Sequence, residues 1–163
     1  MTITDNSLYF AKVRPEAIIP TKNDENAGYD IYACLEDDVM IYPYTTRLVP
    51  TGIATALSKD YYLQVQERGS TGKIGMKYGA GVIDSGYRGE IFIALTNTND
   101  KSIILTDKAP EEYPNYIVYP KSKAVAQLVV HIVPKMDVKE ISYDELLKFD
   151  SKRGTGALGS SYK

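Results

Sequence analysis

The stretch GEIFIALTN, residues 89–97, places apolar side chains on both faces of an extended chain. Ile91, Ile93 and Leu95 share one face, and Phe92 lies on the other. A strand with two apolar faces is typical of a sheet that is covered by a second layer. The stretch therefore predicts a strand at the centre of a layered β fold.

On both sides of this stretch the apolar segments are short, rich in Val, Ile, Tyr and Thr, and interrupted by Gly, Pro, Asn and Asp, which predicts strands and turns. These segments are LYFAKV (8–13), YDIYACL (29–35), VMIYPYTTRLVPTGIATAL (39–57), YYLQVQE (61–67), SIILT (102–106), YIVYP (116–120) and AVAQLVVHIV (124–133). Many short strands predict an all-β protein built as a β-sandwich, jelly roll or small barrel. SYDELLKFD (142–150) alone predicts a short helix, capped by Ser142 or Asp144.

Length and charge narrow the class of protein. The 163 residues fit one β domain, predicted here as 1–150, followed by a glycine-rich arm at 151–163. A net charge of −2 does not favour a DNA-coating surface, so we expect no stable nucleic-acid binding. The single cysteine, Cys34, excludes an internal disulfide, and no apolar run reaches membrane-spanning length, so we expect a cytoplasmic protein. The polar segment 96–123 predicts a surface excursion between two core strands.

Three glycine-rich segments stand out: ERGSTGKIG (67–75), GVIDSGYRGE (81–90) and RGTGALGSS (153–161). A glycine run is most often a turn, but it also lets backbone N–H groups approach a phosphate. The first segment also carries two cationic side chains and two hydroxyl side chains, which can bind phosphate. The spacing of its glycines and its lysine is not that of a P-loop.

Asp84 and Tyr87 flank a Ser-Gly pair within the second of these segments. Asp84 is either an ordinary turn aspartate or a carboxylate placed to take a proton from water. Tyr87 is either a core residue or a ring that packs against a sugar or a base. The residues alone leave both alternatives open.

Taken together, the motifs resemble those of the trimeric dUTP pyrophosphatases, or dUTPases. That family has five short motifs in a fixed order, and each has a counterpart here. The counterparts are AGYDIYA (27–33), ERGSTGKIG (67–75), GAGVIDSGYRGEIFIALTN (79–97), AVAQLVV (124–130) and RGTGALGSS (153–161). The resemblance implies a jelly-roll-like fold, a homotrimer and active sites built between subunits. It also implies Mg²⁺-dependent hydrolysis of dUTP to dUMP and pyrophosphate, which keeps uracil out of DNA and supplies dUMP for thymidylate synthesis.

The resemblance assigns roles to residues around the third motif, which it implies to be a β-hairpin. Asp84 would orient and deprotonate the water that attacks the α-phosphorus. Tyr87 would lie under the deoxyribose, where a 2′-hydroxyl would collide with the ring. The backbone of Gly81 and Val82 would bind uracil, and Asp30 would act on the magnesium ion indirectly, through water.

The same resemblance assigns the phosphates to other motifs. Arg68, Gly69 and Ser70 would cradle them, and Gln127 would hydrogen-bond near the phosphate chain. Arg153 would close over the γ-phosphate of a neighbouring subunit's substrate. The remaining substrate-binding residues that it implies are Thr71, Ile83, Leu158, Gly159 and Ser160.

Two departures from the family pattern bear on these assignments. The second motif of the family usually has Arg-Ser-Gly, whereas Gly69 precedes Ser70 here, so either Ser70 or Thr71 meets the phosphates. Leu158 stands where the family has an aromatic residue that stacks on uracil, so we expect a looser lid.

Rival functions differ in class. A dCTP deaminase shares the fold, but its glutamate in the strand after the third motif is replaced here by Ala94. A nucleotide-sensing protein would use segment 96–123 to bind a protein partner. A purely structural β-trimer would leave Asp84, Gln127 and Arg153 without a role.

Overall fold

In a computed structural model, which describes residues 2–157, strand β9 (Phe92–Asn97) lies at the centre of a three-stranded antiparallel sheet. Its neighbours are β4 (Thr46–Pro50) and β7 (Met76–Gly79). Ile93 pairs with Val49 of β4, and both side chains are fully buried. The predicted central strand is therefore confirmed.

The other strands of the described residues form three further small sheets, with strand orders β2-β12-β6-β8, β11-β10-β3 and β1-β5. Their bounds are β1 Leu8–Lys12, β2 Gly28–Ile31, β3 Val39–Ile41, β5 Ile53–Leu57, β6 Tyr61–Gln66, β8 Val82–Ile83, β10 Ile103–Leu105, β11 Ile117–Tyr119 and β12 Ala126–Ile132. Only the β10–β11 pair is parallel among the strand pairs of residues 2–157. The all-β class is confirmed.

The inner faces of these sheets meet in one apolar core. β-branched and leucine side chains dominate it, as expected for strands that are covered on one face. Its fully buried members include Ile31, Val49, Leu63, Met76, Ile93, Leu95, Ile103, Leu105, Val125, Ala126 and Leu128. Phe92, on the opposite face of β9, is 41% exposed, so only one face of that strand is fully covered.

Segment 96–123 is not the surface excursion that its polar composition predicted. Ile103, Ile104 and Leu105 are buried in β10, which pairs with both β3 and β11. The strands predicted at 102–106 and 116–120 are present as β10 and β11. Only the expected surface position was wrong, because the polar residues cluster between the two strands and outweigh a short buried apolar run in the composition. A 3₁₀ turn at Pro110–Glu112 lies in the exposed part of the segment.

Two short helices are present among the described residues, and the sequence predicted one. Helix α2 (Tyr143–Leu146) begins where expected, because Ser142 Oγ accepts a hydrogen bond from the Glu145 N–H at 3.2 Å. Helix α1 (Gly69–Lys73) was not predicted, since its glycines disfavour a helix. The Thr71 side chain stabilises it: Oγ1 accepts from the Arg68 N–H at 3.0 Å and donates to the Arg68 carbonyl at 3.1 Å.

The described residues form two compact units that divide between Val133 and Pro134. The first carries all twelve strands and α1, and the second carries α2. The sequence instead predicted an arm that begins at residue 151. Between residues 2 and 157 no helix is long and apolar enough to cross a membrane.

Candidate functional site

The Asp84 turn, residues 84–87, leaves β8 and leads towards β9. Ile83 of β8 pairs with Leu63 of β6, and the Tyr87 N–H closes the turn by donating to the Asp84 carbonyl at 3.0 Å. The following strand pairs with β4 and β7. The turn therefore connects two different sheets and is not the simple hairpin that the resemblance implied.

A cavity of about 250 Å³, called the turn cavity below, lies beside this turn. Its lining is mostly apolar, with Asp84, Tyr87 and Glu90 as polar members. The complete lining is Leu48, Ala80, Val82, Ile83, Asp84, Tyr87, Glu90, Ile91 and Phe92. Small-molecule pockets usually measure about 300–1,000 Å³. The turn cavity thus suits a part of a nucleotide better than a whole one.

Gly81 lies at the edge of strand β6, and its carbonyl accepts a hydrogen bond from the Val65 N–H at 2.8 Å. A Cβ atom at Gly81 would stand 2.6 Å from Gln64 Nε2 and 3.1 Å from the Val65 carbonyl oxygen. Packing against β6 therefore favours a glycine here, whether or not a ligand approaches, since a larger residue would displace the Gln64 amide and crowd the Val65 carbonyl. Val82, the next residue, is 58% exposed and lines the turn cavity.

A second group, called the arginine cluster below, consists of Asp30, Arg68, Ser70 and Gln127. Arg68 Nε lies 2.8 Å from Asp30 Oδ1, and Arg68 Nη2 donates to Asp30 Oδ2 at 3.1 Å, which is a two-pronged ion pair. Gln127 is the register partner of Asp30, and its Nε2 donates to the Glu67 carbonyl at 2.8 Å. Both Arg68 and Asp30 are about one-third exposed, so the guanidinium remains accessible to an anion.

Of the two hydroxyls in the second motif, Ser70 is exposed and Thr71 is buried. Thr71 Oγ1 is engaged with the backbone of Arg68, as described for α1. Ser70 Oγ accepts a long hydrogen bond from Arg68 Nη1 at 3.5 Å. Gly69, at the start of α1, is also exposed. Ser70 is therefore the hydroxyl that this fold offers to a ligand.

An ion pair between Arg14 and Glu90 lies beside the Asp84 turn. No pattern in the sequence predicted it. Arg14 Nε lies 2.9 Å from Glu90 Oε1, and the hydrogen bond to Glu90 raises the pKa of Arg14 above its usual value. The two residues are 76 positions apart, so no local spacing relates them.

The sequence also gave no signal for the buried tyrosine Tyr78. Burial raises the pKa of Tyr78 to about 12, and its hydroxyl donates a hydrogen bond to the Val125 carbonyl.

The turn cavity and the arginine cluster are separate in the described chain. No residue of the arginine cluster lines the cavity. Between residues 2 and 157, no hydrogen bond or ion pair joins Asp84 or Tyr87 to Asp30, Arg68 or Gln127. The two groups are therefore distinct features of the described chain.

The last motif supplies Arg153, which lies in the second unit. It is exposed, and its Nε donates to the Gly156 carbonyl at 2.8 Å. Leu158, Gly159 and Ser160 lie outside the described residues.

Comparisons with known proteins agree on one family. A family model described as dUTPase matches residues 14–109. A deoxyuridine 5′-triphosphate nucleotidohydrolase of Candida albicans is 33% identical over 91% of this chain and 84% of its own length. One of Hydrogenobaculum sp. is 32% identical over 94% of this chain and 96% of its own length.

Solved structures show the same fold. A mutant dUTPase of Staphylococcus bacteriophage 80alpha, solved with dUpNHpp, has a TM-score of 0.76 at 20% identity and covers 96% of this chain and 99% of its own. A mutant dUTPase from phage phi11 of S. aureus, in which a structural Mg(II) ion is coordinated, has a TM-score of 0.68 at 22% identity and covers 86% of this chain and 99% of its own. The jelly-roll-like architecture expected from the sequence is thereby confirmed.

Proposed function

The chain belongs to the dUTPase family, and from this premise we propose how its residues bind and hydrolyse dUTP. The protein is a dUTP diphosphatase, which converts dUTP to dUMP and pyrophosphate. One observation carries the assignment of residues: the turn cavity has the size and apolar lining for a base and sugar, whereas the arginine cluster groups guanidinium, hydroxyl and amide donors that can hydrogen-bond to phosphates. Neither group alone accommodates a nucleoside triphosphate.

Asp84 is the general base in this proposal. Its side chain is exposed at the turn cavity, and its main chain is fixed by the Tyr87 N–H. A carboxylate in this position accepts a proton from the water that attacks the α-phosphorus. The Tyr87 ring lies under the deoxyribose, and the backbone around Val82 binds the uracil edge.

The arginine cluster binds the triphosphate. A guanidinium that is already oriented by a carboxylate can turn to phosphate oxygens at little entropic cost. Arg68 Nη1, whose hydrogen bonds to the Ala124 carbonyl at 3.4 Å and to Ser70 Oγ at 3.5 Å are long, would exchange them for a phosphate oxygen. Ser70 adds a hydroxyl donor, and Gln127 adds an amide beside the phosphate chain. Substrate binding then places the anion between Arg68 and the exposed start of α1.

Magnesium use is a family property, and we propose it for this chain. Among residues 2–157 no three His, Cys, Asp or Glu side chains are grouped closely enough to hold an ion. This donor set fits Mg²⁺, which keeps several waters and binds largely through substrate phosphates. Asp30 is the carboxylate nearest the phosphate-binding side chains and would hold such a water. The ion supplies positive charge that neutralises the triphosphate.

We propose a homotrimer in which the turn cavity of one subunit meets the arginine cluster of another. The separation of the two groups within one chain supports this arrangement, because a ring of identical subunits brings two different surface patches together. Arg153 of the last motif closes over the γ-phosphate in a neighbouring subunit's site, in the manner of an arginine finger.

We also propose a cytoplasmic location for the protein and a protein partner that binds the exposed part of segment 96–123.

A substrate panel tests the proposed function. We expect the purified protein with Mg²⁺ to release pyrophosphate from dUTP and much less from dCTP, dTTP or UTP. Ammonia release from dCTP would instead assign the chain to the deaminase branch, although Ala94 is buried and offers no acid. Binding of dUTP without any product would favour a nucleotide sensor.

A further inference from the structure

Tyr87 is fixed on the Asp84 turn by contacts on two sides. Its hydroxyl donates a hydrogen bond to the main-chain carbonyl of Glu90 at 2.9 Å. Its ring lies so close to Gly89 that a Cβ atom there would stand 2.6 Å from Tyr87 Cζ. The ring is nevertheless 43% exposed, so no surrounding core holds it in place. The orientation of Tyr87 therefore depends on where the backbone of residues 89 and 90 lies.

Two sets of contacts fix that backbone. The Ile91 N–H, in the same peptide unit as the Glu90 carbonyl, donates to the Ile53 carbonyl at 2.8 Å, and the Glu90 side chain adds a second anchor. Glu90 Oε1 accepts from the Gly52 N–H at 2.8 Å and lies 2.9 Å from Arg14 Nε. Glu90 Oε2 accepts from Arg14 Nη2 at 3.1 Å. The Glu90 side chain is only 15% exposed, whereas that of Arg14 is 39% exposed. A carboxylate this buried stays in place only while its charge is matched by these donors.

From these contacts we infer that Arg14 and Glu90 are positioning residues, which hold Tyr87 in the orientation that excludes the 2′-hydroxyl of a ribonucleotide. The inference rests on the proposed role of Tyr87 under the deoxyribose. Without Arg14, the Glu90 carboxylate would keep only the Gly52 N–H and turn partly towards water, and the residue 90 carbonyl would be held through the Ile91 N–H alone. A shift of that carbonyl would weaken the hydrogen bond from Tyr87, and the ring would turn partly out of the way of a 2′-hydroxyl.

The test measures kcat/KM for dUTP and for UTP in four variants: Arg14→Met, Glu90→Gln, Tyr87→Phe and Tyr87→Ala. Steric rejection of one hydroxyl amounts to about 10²-fold, and we expect the dUTP:UTP ratio to fall about tenfold in Arg14→Met and Tyr87→Phe. Glu90→Gln keeps an acceptor for the Gly52 N–H but loses the charge that holds Arg14, so its ratio falls less. In Arg14→Met the loss of preference should arise from faster UTP hydrolysis, with kcat on dUTP largely kept.

Lys108→Met is the matched control, because it also removes an ion pair, to Asp38 at 3.3 Å, away from the turn. It should lower stability without changing the dUTP:UTP ratio. The inference is overturned if Arg14→Met and Glu90→Gln keep the wild-type ratio, whatever happens to their melting temperatures. If Tyr87→Ala lowers the ratio while those two do not, only the positioning role fails. If Tyr87→Ala also leaves the ratio unchanged, the proposed role of Tyr87 fails together with the inference.

Discussion

Asp84→Asn should lower kcat on dUTP by about 10³-fold while dUTP binding changes little, since a positioned general base typically contributes 10²–10⁴. Asparagine has nearly the same shape as aspartate, so the turn cavity and the hydrogen bond from the Tyr87 N–H to the main-chain carbonyl are preserved. Only the group that accepts the water proton is lost. The measurement is single-turnover hydrolysis beside equilibrium binding of the non-hydrolysable analogue dUpNHpp.

Asp100→Asn is the control for this variant, because Asp100 is an exposed aspartate in the loop before β10. It should hydrolyse dUTP like the wild type. Loss of analogue binding in Asp84→Asn together with loss of turnover would indicate that Asp84 holds the substrate and is not its base.

Arg68→Ala should raise the KM for dUTP by about 10–100-fold, because charge-assisted hydrogen bonds contribute about 1.5–3 kcal/mol each. The substitution has a second effect, since it leaves the Asp30 carboxylate without its guanidinium partner and facing the phosphates. Asp30→Asn in the Arg68→Ala background removes that repulsion and should recover part of the lost affinity. Steady-state kinetics at saturating Mg²⁺ measures both effects.

Arg68→Lys separates charge from geometry. Lysine keeps the cation but lacks the planar fork that matches Asp30 on one side and a phosphate on the other. We expect its KM to lie between those of the wild type and Arg68→Ala. A wild-type KM in Arg68→Ala would remove the arginine cluster from the substrate site.

The β class followed from the sequence because period-two patterns of β-branched residues depend on local chemistry alone. Helix α1 could not be predicted in this way, since its stability comes from the contact of the Thr71 hydroxyl with Arg68 in a glycine-rich segment. Strand β10 was predicted from the apolar run SIILT, but its burial was not, because the polar residues around it favoured a position at the surface. Which strands a short segment pairs with depends on the fold, and composition does not specify it.

The candidate site shows the same division between local and long-range information. Asp84 and Tyr87 were predicted from a contiguous motif, and the structure places both at one cavity. The pairing of Asp30 with Arg68 joins residues 38 positions apart, and that of Arg14 with Glu90 joins residues 76 apart. Such pairs arise from the order of strands in the sheets, which no motif spacing specifies.

Subunit mixing tests most directly the claim that one site is assembled from the turn cavity and the arginine cluster of different chains. Asp84→Asn and Arg68→Ala should each be nearly inactive at low dUTP, and in the proposed homotrimer co-expression would produce mixed trimers. In a ring, about one quarter of the sites would combine an intact turn with an intact arginine cluster. The account predicts that the mixture regains about that fraction of wild-type activity. A mixture no more active than its two components would contradict it, since both groups would then have to come from the same chain.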